Sequence, residues 1–213
     1  MVKKRPASVP TAGATGVQKK PSAAVLDQHG KRAVKSVKRS GRRSSCVFVC
    51  APGAGGGRSR QEVLSEFGRL HNFSFRGVPN LTKPHLEEPF LEQFLGEAQR
   101  AAALHGASSR LYLVGHSFGS RSAVHLCARR EFWERLPRNC RGIIAFGYPL
   151  VHPTQRREAK LAELPASARI LFISGTRDPF AGDFSLFDKG LAKASCRRCC
   201  AVVRVEGGDH GLA

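Results

Sequence analysis

The sequence predicts an α/β fold, a mostly parallel sheet with helices on both faces. Three observations lead there. Runs at 46–50, 111–114, 142–146, 170–173 and 201–205 are apolar almost throughout. Strands buried on both faces have that pattern, whereas half-exposed strands alternate. Between the runs lie stretches with apolar residues at helical spacing. Strand and helix alternate along the chain, as in β-α-β units whose strands lie parallel.

The elements follow in order from the amino terminus. Residues 1–45 hold 12 of the chain's 35 Lys and Arg, a single acid (Asp27) and no aromatic residue. Such a segment cannot bury enough apolar surface to offset the entropy of ordering, so it reads as a disordered basic tail. Its clusters Lys31-Arg32 and Lys38-Arg39-Ser40-Gly41-Arg42-Arg43 leave two readings open. One is a nuclear address or phosphate-binding arm; the other is a solvated tail touching nucleic acid or another polyanion only weakly. Pro6, Pro10 and Pro21 argue against the amphipathic helix of an organelle presequence.

The folded domain is expected over 46–213. Its first strand, 46–50, runs into Ala51-Pro52-Gly53-Ala54-Gly55-Gly56-Gly57. Val63, Leu64, Phe67 and Leu70 predict a helix over 61–70, and 71–75 a short strand. Leu86, Phe90, Leu91, Phe94, Leu95, Ala98 and Ala102 form the clearest helical stripe, over 86–104. Helices are also expected over 120–130 and 184–194.

Bulk numbers exclude several classes. At 213 residues the chain suits one α/β domain with a full core and a tail. No apolar run approaches the roughly 18 residues that a membrane span requires. The seven cysteines are odd in number and no secretory h-region precedes them. Reduced thiols in an intracellular protein, nuclear or cytoplasmic, are therefore expected. Cys196-Arg197-Arg198-Cys199-Cys200 offers one Cys-x-x-Cys pair without a second pair, which does not make a zinc site. No metal and no cofactor are expected.

The chemistry centres on Gly115-His116-Ser117-Phe118-Gly119, directly after the strand 111–114. This is the Gly-x-Ser-x-Gly form of a nucleophile elbow. The glycines remove Cβ atoms that would clash at a sharp strand-to-helix turn, and the hydroxyl is presented at a helix amino terminus. The glycine-rich loop after the first strand lacks the Gly-Lys-Ser/Thr of a P-loop and the Gly-x-Gly-x-x-Gly spacing of a dinucleotide site. It reads as an oxyanion loop, with Ala54 or Gly55 donating an N–H beside that of Phe118.

A serine hydroxyl needs a general base, and the base needs a carboxylate to fix its tautomer. Asp178 follows the strand at 170–173, in Gly175-Thr176-Arg177-Asp178-Pro179. His210 follows the strand at 201–205, in Gly207-Gly208-Asp209-His210-Gly211. The order Ser, Asp, His, each after a strand, is the order such triads take in this topology. Asp209 is a neighbouring decoy carboxylate. Of the remaining histidines, His116 lies inside the elbow and the others lack a position after a strand.

Together, Gly115-His116-Ser117-Phe118-Gly119-Ser120-Arg121, Gly147-Tyr148-Pro149-Leu150 with Pro153, Gly175-Thr176-Arg177-Asp178 and Asp209-His210-Gly211 resemble the KANL/Tex30 α/β-hydrolase-like family, related to the dienelactone-hydrolase branch. The resemblance covers 46–213, and Gly-Tyr-Pro-Leu is its most specific part. It implies a serine-hydrolase fold without metal or organic cofactor, with Ser117, Asp178 and His210 as the triad and Ala54 in the oxyanion loop. Arg121, also matched, is expected to support the elbow. Two departures are expected to trim the fold. The region before Leu86 is short, and the sequence stops three residues after His210, where relatives continue into a final helix.

Two functions follow. One is a serine hydrolase acting on a small acyl substrate (an ester, thioester or small amide). The other is a catalytically silent module with protein-complex partners, since one branch of the resembled family is a scaffold subunit of a chromatin acetyltransferase complex.

Overall fold

The computed structural model describes residues 46–54, 73–78, 87–152 and 155–213. The tail 1–45, the helix expected at 61–70 and Gly55 lie outside the described residues. Six strands make one sheet: β1 (Cys46–Ala51), β2 (Phe73–Gly77), β3 (Arg110–His116), β4 (Cys140–Phe146), β7 (Ile170–Gly175) and β8 (Cys200–Val205). They lie in the order β2-β1-β3-β4-β7-β8, every neighbouring pair parallel. A two-stranded antiparallel pair, β5 (Val151–His152) and β6 (Gln155–Arg156), stands apart. The helices are α1 (Glu87–His105), α2 (Phe118–Ala128), α3 (Arg130–Trp133), α4 (Glu158–Ala162) and α5 (Ser185–Ala192).

The strand order follows from the connections. From β2 onward every crossover advances in one direction, through α1, α2, α4 and α5. Right-handed crossovers then put those helices on one face, and α1 with α2, α2 with α4, and α4 with α5 are in contact. The step from β1 to β2 runs the other way. Direction therefore reverses between β1 and β3, which puts a topological switch point at the carboxyl ends of those strands. In open α/β sheets that is where ligands bind.

The α1 stripe packs as the spacing predicts, with Phe90, Leu91, Phe94, Leu95 and Ala98 fully buried. Phe90 meets Phe118 of α2 edge-on at 4.9 Å. A second aromatic group joins Tyr148, Phe172 and Phe187, with Tyr148 5.5 Å and 6.1 Å from the other two rings.

Boundaries differ from expectation in three places. The short strand lies at 73–77, not 71–75. The helix expected at 120–130 begins at Phe118, because the turn at Ser117 is so tight that Gly119 is already helical. It stops at Arg129, whose φ of −93° and ψ of 116° are extended, and α3 restarts the winding. β4 starts at Cys140 because Leu111 pairs with it across a register shift in β3.

Candidate active site

Ser117 follows β3 and precedes α2, with φ 52° and ψ −113°. A non-glycine residue there is strained, and such strain persists only where the surroundings enforce it. They do so here. A Cβ on Gly115 would overlap the backbone of Gly119 and Ser120, and one on Gly119 would overlap the Ala51 carbonyl. Strand, helix and the end of β1 thus approach more closely than any side chain permits. The Ser117 N–H donates to the Phe146 carbonyl (3.0 Å), and its own carbonyl accepts from the Arg121 N–H (3.0 Å) and Ser120 Oγ (2.7 Å). Its hydroxyl caps nothing. Arg121 lays its guanidinium over the Phe118 ring, 5.1 Å from the centroid, the structural position expected of it.

Of the two sequence-matched oxyanion residues, Phe118 directly follows Ser117 and Ala54 lies one residue beyond Gly53. Phe118 opens α2, so its N–H has no carbonyl to reach within the helix. Ala54 is exposed in a turn after β1. Gly53, just before it, abuts Ser117. A Cβ built on Gly53 would lie 3.4 Å from Ser117 Cβ and 3.0 Å from His116 Nδ1.

Asp178 is buried, its side chain fully so. Oδ2 lies 2.9 Å from His210 Nδ1, and Oδ1 accepts the Phe180 N–H at 2.8 Å. A carboxylate held at both oxygens orients the imidazole and leaves Nε2 as the outward nitrogen. Gly175 makes this pairing possible, since a Cβ there would overlap the Gly208 carbonyl. Hydrogen bonds then join the loops after β7 and β8. Thr176 N–H donates to Val205 (3.0 Å), Arg177 N–H to Gly208 (2.9 Å), Arg177 Nε to Gly207 (2.5 Å), and Gly207 N–H to Thr176 Oγ1 (2.9 Å).

The decoy carboxylate has other work. Asp209 Oδ1 accepts the N–H groups of Gly211 (2.7 Å) and Ala213 (3.1 Å). The Ala213 bond first, and the Gly211 bond after it, hold its carboxyl below the ordinary 3.8. Asp209 therefore shapes the turn that carries His210 and does not face the imidazole as Asp178 does.

His210 reaches the elbow through two neighbours. A Cβ built on Gly147 would lie 3.4 Å from both His210 Cε1 and His116 Nε2, and Gly147 follows the residue that accepts the Ser117 N–H. His116 Nε2 donates to the His210 carbonyl at 2.9 Å, with ring centroids 5.1 Å apart. Phe180 covers another side of His210 at 4.7 Å. Ser117 Oγ and His210 Nε2 make no hydrogen bond among the described residues.

His116 and Phe180 were not legible as site residues. The elbow pattern gives no meaning to its second position, and Phe180 is one aromatic residue in a loop. The Gly-Tyr-Pro-Leu segment is structural: residues 147–150 are buried, buried Arg157 donates from Nη1 to the Pro149 carbonyl (3.0 Å), and Val151 N–H donates to Phe180 (2.9 Å). It thereby supports the Asp178 loop from below. All seven cysteines are free. Cys196 and Cys200 bring their sulfurs to 3.3 Å, and burial pushes the Cys200 thiol up to about 12. No group of three or more potential ligands able to hold a metal is present among the described residues.

A protein-family model described as "Alpha/beta hydrolase domain" matches residues 72–213. The chain belongs to the alpha/beta hydrolase family. Solved structures share the fold at low identity. An alpha-beta serine hydrolase homologue from Coxiella burnetii is 17% identical with TM-score 0.53, covering 79% of this chain and 77% of that one. Est1E from Butyrivibrio proteoclasticus is 15% identical with TM-score 0.54, covering 80% and 82%. A dienelactone hydrolase-like promiscuous phosphotriesterase from metagenomic libraries is 13% identical with TM-score 0.53, covering 77% and 71%. No curated protein matches the sequence. Among the described residues, no helix of this alpha/beta hydrolase chain is long and apolar enough to cross a membrane.

Proposed function

We propose that this chain is a serine hydrolase that cleaves a small ester, thioester or amide through an acyl-enzyme. The observation that carries the reading is the Asp178–His210 hydrogen bond set beside a strained serine at the topological switch point. Ser117 Oγ attacks the carbonyl carbon while His210 Nε2 takes the hydroxyl proton. Asp178 holds Nδ1–H and stabilises the imidazolium. The N–H groups of Phe118 and Ala54 receive the oxyanion. Collapse of the intermediate expels the alcohol, thiol or amine, which leaves with the proton from His210. Water then attacks the acyl group by the same route, restoring Ser117. Within the superfamily we place the chain beside the KANL/Tex30 branch, on its Gly-Tyr-Pro-Leu segment.

The test is covalent labelling with a fluorophosphonate probe. The wild-type chain is labelled, and Ser117→Ala is not while keeping the wild-type melting temperature. A second reading, a silent scaffold on the same fold, is favoured by one observation: Ser117 Oγ and His210 Nε2 are not hydrogen-bonded to each other. Absence of labelling in well-folded wild-type protein decides for that reading.

A further inference from the structure

The end of the sheet opposite Ser117 carries the second chemistry of this molecule. Because all six strands are parallel, their amino ends form one rim. Arg110 opens β3, Arg138 and Arg141 flank the start of β4, Arg169 immediately precedes β7, and Arg197 and Arg198 precede β8. Backbone pairing keeps these positions level. The Leu111 N–H donates to Asn139, Ile143 N–H to Arg169, and Ile170 pairs with Cys200. All six arginines are exposed. None has an ion pair or a side-chain hydrogen bond among the described residues.

Many cations on the rest of the domain are paired instead. On the helices, Arg129 pairs with Glu131, Arg130 with Glu134, Arg135 with Glu92, and Lys160 with Glu163. Glu134 and Glu163 are the acids nearest the rim in sequence, and both are already paired with helix cations. The rim is also stiff. Buried Asn139 donates to Ser109 Oγ (3.0 Å) and the Gly106 carbonyl (3.3 Å), tying together the turns that carry Arg110 and Arg138.

We propose that this rim is a binding surface for the phosphate backbone of a nucleic acid duplex. Four neighbouring strands at about 4.8 Å spacing spread the guanidinium groups over about 15 Å. A duplex presents one phosphate charge per roughly 1.7 Å of its axis, so about nine charges face that span. Arginine supplies planar two-pronged donors that fit phosphate oxygens, and among the described residues the six cations beside the starts of β3, β4, β7 and β8 are all arginine. Arginines without a partner among the described residues give up none of the ion pairs seen there on binding. The contacts are to backbone, so the surface reads charge and shape and not sequence. Duplex binding here leaves the candidate active site open at the other rim.

The test uses the full chain and a fluorescein-labelled duplex, with affinity followed across a salt series. The variant Arg110→Gln, Arg141→Gln, Arg169→Gln, Arg197→Gln is compared with a control that removes the same charge from paired positions, Arg130→Gln, Arg135→Gln, Lys160→Gln and Arg204→Gln, the last paired with Asp188 at 3.6 Å. Wild type and control are expected to share one slope of log K against log salt. The rim variant is expected to lose about one unit of slope per arginine removed, with the melting temperature unchanged. Should the fourfold variant not fold, Arg141→Gln and Arg169→Gln alone are each expected to lose about one unit. An unchanged slope in the rim variants places binding on the amino-terminal tail and overturns the proposal. So does an equal loss in the control, which makes the effect one of net charge. Failure of the wild type to bind duplex, or rim-dependent binding to phosphatidylserine vesicles only, overturns it as well.

Discussion

The two rims of the sheet are made by the same strands and differ in what they do with charged groups. At the carboxyl ends the groups converge. Asp178 and His210, far apart in sequence, meet at 2.9 Å because Gly175 lets one loop backbone touch the other. At the amino ends the groups diverge, and six exposed arginines stand without partners among the described residues. The comparison teaches that a parallel sheet separates two kinds of surface. Convergence needs close backbone approach and burial, which strengthen each hydrogen bond by excluding water. Unpaired cations need the opposite, full solvation, which one rim of exposed strand starts provides.

The largest expected effect comes from breaking the converging rim. Asp178→Asn removes the acceptor for Nδ1–H and permits the wrong tautomer of His210. The rate of fluorophosphonate labelling is expected to fall about 10⁴-fold with little loss of fold. A fall of only a few-fold would mean that the imidazole is not held for proton transfer. Neither substitution set at the arginine rim should alter that rate, which sharpens the separation of the two surfaces.

A smaller effect is expected at His116. Its bond to the His210 carbonyl has a net worth of about 1 kcal/mol. His116→Ala should slow labelling by roughly fivefold, since 1.4 kcal/mol corresponds to tenfold. His116→Asn, which can donate from Nδ2, should recover part of the rate. If both variants match wild type, His116 fills space and positions nothing.

The smallest effect concerns pH. Asp209 has a carboxyl pKa below the ordinary 3.8, held there by the Ala213 and Gly211 N–H groups. A depressed folded-state pKa means that the stabilisation is complete above 3.8 and disappears as pH falls through the lower, folded value. The amide resonances of Gly211 and Ala213 should therefore titrate together with a midpoint below 3.8. A midpoint at or above that value would show that the turn carrying His210 is not fastened by Asp209. Asp209→Asn should abolish the titration.

Much of the fold was legible because continuous apolar runs and helical stripes are local signals. The runs at 111–114 and 170–173 read as buried strands, and Phe90, Leu91, Phe94 and Leu95 read as one face packed on the core. The elbow was legible for a related reason: Gly115 and Gly119 are needed at fixed spacing for a steric purpose. Other features were not. The second position of the elbow is occupied by many residue types, so His116 carried no signal of its contact with the His210 carbonyl. The helix start at Phe118 was displaced because propensity does not foresee how tightly a strained turn can close.

By itself, then, the sequence determined the alternation of strand and helix, the parallel sheet and the order in which Ser117, Asp178 and His210 occur. These depend on interactions between near neighbours and on patterns of burial. Only the tertiary structure set Asp178 against His210 Nδ1, gave His116 its contact with the His210 carbonyl, and collected six scattered arginines on one rim. Those outcomes depend on which loops share an end of the sheet. Distance in space is set by strand order and crossover direction, and spacing along the chain does not encode it.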